Sequence, residues 1–259
     1  MRRRTQVRRG LGACGALAVL VVVSACGSSS SGSTTTGSST SPTAPTVLAA
    51  ASLAKVFPKI DPAPDYSFGG SGALATQIEQ GAPADVFAAA SAKQPAALLA
   101  KGLIEQPVKF ATNRLVMIVP AANPAHLTSV DGITAPGVKV VICAATVPCG
   151  DYARNVFKNL GITSAAMKNV VSNASDVTQV VAQVALGQAD AGFVYVTDAK
   201  AADGKVTAIA LPDAAKPKAS DYIAVVKAGA NHQSATAFVA EVLSPRGQAM
   251  LRSAGFGAP

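Results

Sequence analysis

Val47-Leu-Ala-Ala-Ala-Ser-Leu-Ala-Lys-Val-Phe57 decides the fold class of this chain. Residues 47–50 form a short apolar run of strand type, and a helix-spaced pattern (Leu53, Val56, Phe57, Ile60) follows at once. The junction falls on Ser52, which the pattern places at the N-cap of a helix over 53–60. Its hydroxyl and the first free backbone N–H groups would then face one point in space. Such a helix start suits an anion, because unpaired N–H groups and the positive helix end favour negative charge without Lys or Arg. A capping serine is common; recurrence of the same junction downstream gives this one weight.

Outward from Ser52 the chain alternates. Apolar strand candidates are 47–50, 85–89, 114–119, 139–143, 192–196, 206–210 and 222–226. Helical patterns fall at 53–60, 73–80, 94–100, 151–160, 177–186 and 235–243, and Pro245 opens a last helix. Strand–helix alternation over this length predicts an α/β fold with parallel sheets covered on both faces. Several helix starts repeat the first. Phe68-Gly-Gly-Ser-Gly-Ala-Leu74 puts Ser71 at the head of a helix after two glycines that permit close backbone approach. Thr146-Val-Pro-Cys-Gly-Asp151 sets Pro148, Cys149 and Gly150 before another, with free N–H groups. Asn173-Ala-Ser-Asp-Val-Thr-Gln179 predicts Ser175 as an N-cap with the Val177 N–H in the first turn. Tyr195 ends the strand Phe193-Val-Tyr-Val196, a place where tyrosines usually pack.

The N-terminus indicates the compartment. Arg2, Arg3, Arg4, Arg8 and Arg9 precede an apolar stretch over 11–23 that is too short for an ordinary membrane span. Val23-Ser24-Ala25-Cys26 resembles the lipobox of bacterial lipoprotein signal peptides, in which the chain is cut before a cysteine that receives a diacylglycerol. Residues 1–25 are therefore expected to be signal peptide and Cys26 the lipidation site. Leu11-Gly12-Ala13-Cys14 is also lipobox-like but would leave the apolar run attached, and the residues around Arg8-Arg9 fit twin-arginine export poorly. Residues 26–46 carry the lipidated cysteine and a Ser/Thr/Gly/Pro tether that cannot bury apolar surface. Five of the 22 basic residues and none of the 14 acidic ones lie in 1–25, leaving 17 against 14, a net +3. No basic run with interleaved aromatics points to nucleic acid. With Cys14 removed and Cys26 lipidated, Cys143 and Cys149 remain. Outside the cytoplasm such a pair is expected to form a disulfide, the alternative being free thiols with Cys149 reactive. His126 and His232 have no metal-ligand spacing.

The order of motifs resembles a known family. Ala50-Ala-Ser-Leu53, Phe68-Gly-Gly-Ser-Gly-Ala-Leu74, Gln77-Ile-Glu-Gln-Gly-Ala-Pro-Ala-Asp-Val-Phe87, Val147-Pro-Cys-Gly150, Asp176-Val177 and Ala191-Gly-Phe-Val-Tyr195 resemble the molybdate-binding proteins of bacterial ABC transporters, over nearly all of 47–259. The resemblance implies a two-lobed type II periplasmic binding protein fold with the ligand cleft between lobes. Lobe one would be 47–113 plus 218–259, and lobe two 114–217. It implies a buried tetrahedral oxyanion held by neutral donors: hydroxyl and N–H from Ser52 and Ser71, N–H from Cys149 and Val177, and the phenol of Tyr195. Charge-assisted hydrogen bonds of this kind are strong, and without a cation the anion stays releasable when a transporter parts the lobes. Two departures stand out: Cys149 replaces a small non-thiol residue of some members, and Gly69-Gly70-Ser71-Gly72 replaces a serine-richer run.

On this reading the ligand is molybdate or tungstate with no direct protein–metal bond, no cofactor is needed, and the partners are an ABC permease and, through lipid, the membrane. A monomer is expected. Sulfate is smaller, and a rigid site can reject it by longer donor distances. Two alternatives differ in class: a binder of another oxyanion such as sulfate or phosphate, and a hydrolase using Ser52 or Cys149. Against the hydrolase, there is no Gly-x-Ser-x-Gly elbow and no histidine in a catalytic setting.

Overall fold

A computed structural model describes residues 43–259. The signal segment, Cys26 and the tether up to residue 42 lie outside the described residues. Among the described residues no helix is long and apolar enough to cross a membrane.

The described residues form ten strands, in chain order β1 (Thr46–Ala50), β2 (Asp65–Gly69), β3 (Val86–Ala89), β4 (Val108–Asn113), β5 (Leu115–Pro120), β6 (Val140–Cys143), β7 (Val170–Ala174), β8 (Ala191–Tyr195), β9 (Val206–Ile209) and β10 (Ala219–Val225). They form two five-stranded sheets, ordered β2-β1-β3-β10-β4 and β7-β6-β8-β5-β9. Each sheet is mixed rather than parallel as the alternation predicted. A parallel triplet (β2-β1-β3, β7-β6-β8) is joined by one antiparallel strand, β10 or β5, that carries the chain in from the other lobe. Only Arg114 separates β4 from β5. The same strand order recurs in both lobes although no repeat is visible in the sequence.

Among the described residues nine helices cover these sheets: α1 (Phe57–Ile60), α2 (Ser71–Glu79), α3 (Lys93–Ala100), α4 (Pro148–Asn159), α5 (Thr163–Lys168), α6 (Val177–Ala185), α7 (Val196–Ala201), α8 (His232–Leu243) and α9 (Pro245–Ala254). The helix expected over 53–60 is broken into a 3-10 turn at Ala51–Leu53 and the short α1. Pro58 explains the break: in a continuous helix its ring would clash with the carbonyl four residues back.

The central strands are apolar throughout because both faces are covered; β3, β5, β6 and β8 are buried at every position. In lobe one Phe57 packs edge-on against Phe238 (5.4 Å between centroids) and tilted against Phe110 (5.9 Å). In lobe two Phe157 meets Phe193 edge-on at 5.1 Å, and Val180 and Val184 of α6 are fully buried. Each such side chain contributes about 1.5–3 kcal/mol by leaving water. Asp85, from the Gly-Ala-Pro-Ala-Asp-Val-Phe motif, proves to be a structural joint. Its carboxylate accepts the Thr46 N–H (2.7 Å) and the Asn231 N–H (2.8 Å), tying β1 to the loop before α8. Burial pushes this carboxyl up, but the surrounding N–H donors outweigh it and leave it below the ordinary carboxylate range.

Candidate functional site

In an α/β sheet the carboxyl ends of the parallel strands leave a crevice where loops and helix starts converge. Here two such crevices face each other. From lobe one come Ser52 after β1, Ser71 after β2 and Ala90 after β3; from lobe two come Cys149 after β6, Val177 after β7 and Tyr195 at the end of β8. All of them, with the intervening Gly70, Val147 and Asp176, line one cavity of about 10 Å³. That is on the order of one water-sized sphere, a space suited to a compact small solute. The structure thus brings together all five expected residues, Ser52, Ser71, Cys149, Val177 and Tyr195.

Each arrives by a local rule. Ser52 sits inside the 3-10 turn and caps nothing, because the turn's cap position belongs to Ala50. This corrects the expected N-cap role and frees its hydroxyl: Ser52 Oγ is buried with no hydrogen-bond partner among the described residues. Ser71 is the first residue of α2 after Gly70; its Oγ accepts the Ala90 N–H at 3.2 Å. Pro148 opens α4 where a missing N–H costs nothing, so Cys149 lies within the first turn. Asp176, not Ser175, caps α6, with Oδ1 accepting the Gln179 N–H at 3.1 Å while the Ser175 hydroxyl donates to Oδ2. A carboxylate is the stronger acceptor at a helix N-terminus and wins over the hydroxyl one residue earlier. Val177 becomes the first helical residue. The backbone N–H groups of Ser52, Ser71, Cys149 and Val177 donate to no carbonyl among the described residues, as helix-start N–H groups do not. Tyr195 is 1% exposed, its ring stands edge-on to Tyr152 at 6.3 Å, and its hydroxyl also has no partner among the described residues.

The cavity lining holds no Lys, Arg or His and one acidic residue, Asp176, whose carboxylate is occupied in capping. Neither histidine lines it, and His232 is instead paired with Glu105 at 2.8 Å on the surface. The Cys149 sulfur is bonded to Cys143, with Cα atoms 5.7 Å apart, and is no free nucleophile. Arg154 braces this loop, donating to the carbonyls of Cys143 (3.0 Å) and Gly150 (2.9 Å) and to Asn173 Oδ1 (2.7 Å). In the exported protein Cys143 and Cys149 are expected to resist alkylation until reduced. The six-residue separation closes a short loop, so reduction should cost less than the ~3 kcal/mol of a loop of about fifteen residues. Mass spectrometry finding two labelled thiols without reductant would contradict the bridge.

Two acids behind Tyr195 escaped the sequence reading. Asp198 accepts the Tyr195 N–H at 2.9 Å. Asp221, on β10 at a bulge, is 1% exposed and neither carboxyl oxygen has a partner among the described residues. Its only sequence signal was an acidic residue directly before the apolar run 222–226. Burial pushes Asp198 up to about 7, with the Tyr195 N–H pulling down and Asp176 adding to the rise. Burial, then Asp198, holds Asp221 well above the ordinary range. Burial and then Asp221 keep the Tyr195 phenol protonated, hence a donor. Held as an acid, Asp221 puts little negative charge near the cavity, whereas Asp198 is about half ionised near pH 7.

The folded chain binds these protons more tightly than the unfolded one. The stability linked to them is full below the ordinary carboxylate pKa and is lost as pH rises, through about 7 for Asp198 and well above the ordinary carboxylate range for Asp221. Asp221→Asn, neutral at every pH, should therefore raise the melting midpoint more at about pH 8 than at about pH 5. Equal shifts at the two would show that Asp221 does not titrate in this way.

The comparisons with known proteins match this architecture. The family of bacterial extracellular solute-binding proteins matches residues 45–257. The molybdate-binding protein ModA of Mycobacterium tuberculosis is 39% identical over 258 residues, covering 96% of this chain and 97% of the relative. The solved periplasmic molybdate-binding protein of Azotobacter vinelandii superposes with a TM-score of 0.72 at 25% identity, covering 83% of this chain and 99% of that one. The sulfate-binding protein SubI of Mycobacterium tuberculosis shares the fold, with a TM-score of 0.69 at 18% identity over 83% of this chain and 86% of that one. A two-lobed α/β fold, a cation-free crevice at facing strand ends and a relative matched along nearly its whole length agree: the chain belongs to the ModA family of bacterial extracellular solute-binding proteins.

Proposed function

We propose that this protein captures molybdate, and also tungstate, outside the cytoplasmic membrane and delivers it to an ABC transporter permease. As a solute-binding protein it is a transport component rather than an enzyme. The observation that carries the ligand assignment is the pair of buried hydroxyls, Ser52 Oγ and Tyr195 Oη, left without protein partners beside a cation-free cavity. A buried hydroxyl without a partner costs free energy, and a dianion accepting from both relieves that cost. Ser52 and Ser71 offer hydroxyl and N–H, Cys149 and Val177 their N–H groups, and Tyr195 its phenol. Each can donate to an ion that is all acceptor, and their being neutral leaves the ion releasable. The donors divide between a lobe of 47–113 plus 218–259 and one of 114–217, so the anion itself draws the lobes together. Cys26, lipidated, tethers a monomer to the membrane through the Ser/Thr/Gly/Pro segment.

Equilibrium dialysis against sodium molybdate, followed by elemental analysis, should find one molybdenum per chain; none at saturating molybdate would refute the assignment.

A further inference from the structure

The lobes touch at two backbone points beside the cavity. A Cβ added to Gly70 would stand 2.4 Å from the Ser175 carbonyl oxygen and 3.1 Å from Val147 Cγ2. One added to Gly72 would stand 2.3 Å from the Thr146 carbonyl oxygen. Gly70 and Gly72 belong to the β2–α2 corner of lobe one; Thr146, Val147 and Ser175 belong to the loops after β6 and β7 in lobe two. Neither glycine is required by its own backbone. Gly70 lies at φ −67° and ψ 128°, and Gly72 is in the first turn of α2, conformations open to any residue. Alanine would favour helix α2, so glycine at 72 points to the contact across the lobes. The same Thr146 carbonyl accepts a hydrogen bond from Gln94 Nε2 at 3.3 Å. Gln94 is on α3 of lobe one, and the Ser91 hydroxyl donates to its Oε1 at 2.5 Å, turning the amide N–H₂ toward Thr146.

We propose that Gly70 and Gly72 set how far the two lobes close on the anion and that Gln94 latches them in the closed position. The three are positioning residues for capture and release, and the proposal rests on the oxyanion reading of the cavity. Ser52 and Ser71 on one side and Cys149, Val177 and Tyr195 on the other reach a single small ion only when the lobes meet backbone to backbone. A methyl group at either glycine needs about 1 Å more room to regain ordinary contact, which moves donors of one lobe from hydrogen-bonding distance to beyond 3.5 Å. The ligand-free open form has no such contact to lose, so the methyl group acts on the closed state alone. The Gln94 bond is neutral and partly exposed, so its loss acts mildly, on release rather than on encounter.

Gly72→Ala, Gly70→Ala and Gln94→Ala should be compared with the unaltered protein using sodium molybdate. The readouts are calorimetry, stopped-flow release and small-angle scattering. Without ligand, Gly72→Ala should melt at the same temperature or slightly higher, since alanine suits the helix. It should bind at least about 100-fold more weakly, as expected for losing roughly two hydrogen bonds to a charged ligand, and compact less on adding molybdate. Gly70→Ala should behave alike from the other contact. Gln94→Ala should keep the association rate and release the ion about 2- to 10-fold faster. Normal affinity and compaction in both glycine variants would overturn the stop, as would a Gly72→Ala protein that melts well below the parent without ligand. Unchanged release from Gln94→Ala would overturn the latch. A parent protein that binds neither molybdate nor tungstate would instead fail at the oxyanion reading, and the proposal would fall with it.

Discussion

Molybdate at about 1,000 times its dissociation constant should raise the thermal unfolding midpoint by about 8–16 °C. A ligand that binds only the folded form stabilises it by about 4 kcal/mol at that ratio. For a chain of this size each kcal/mol moves the midpoint by roughly 2–4 °C. The donors lie on both lobes, so the ion adds its binding free energy to the junction between them, where Gln94 and Thr146 make a long hydrogen bond of 3.3 Å. Tungstate should act alike. A thermal scan with no shift for either ion, alongside a clear one for sulfate, would overturn the ligand assignment.

Ser52→Ala should weaken molybdate binding by roughly 10- to 150-fold without abolishing it, the value of one hydrogen bond to a charged group. The N–H groups of Ser52, Ser71, Cys149 and Val177 remain. Ser52 Oγ has no protein partner, so its removal should leave the ligand-free protein as stable as before or slightly more so. Tyr195→Phe deletes the other partnerless hydroxyl and keeps the ring against Tyr152, at a similar or smaller cost in affinity. Cys149→Ala keeps its backbone N–H and should scarcely alter the direct contact; any loss reports the broken bridge to Cys143. If Cys149→Ala abolished binding under reducing conditions while Ser52→Ala bound normally, the helix-start account of this site would be wrong.

The parts of the fold legible in the sequence are those where burial acts on every residue. β1, β3, β5, β6 and β8 read as unbroken apolar runs because both their faces are covered. The edge strands β2, β4 and β7 were missed, since each is only partly buried and its polar residues interrupt the run. The antiparallel entry of β5 and β10 was also hidden, because the direction of a buried strand leaves no mark on its composition. The site was legible as a series of helix starts after strands. That these starts converge on one site came from the resemblance, since periodicity carries no distance between segments about a hundred residues apart such as those of Ser52 and Cys149. Local competition decided the details. Pro58 split the first helix and so released Ser52 from capping, and Asp176 displaced Ser175 as the cap of α6. Asp221 stayed hidden because an acidic residue beside an apolar run ordinarily marks solvent, whereas here it is enclosed behind Tyr195.

The central claim is that a small cavity of neutral donors selects a molybdate-sized oxyanion. Calorimetric titration of the purified protein with molybdate, tungstate, sulfate and phosphate at one pH tests it most directly. The account predicts one tight site per chain for molybdate and tungstate, with sulfate and phosphate far weaker or silent; sulfate or phosphate binding as tightly as molybdate would contradict it.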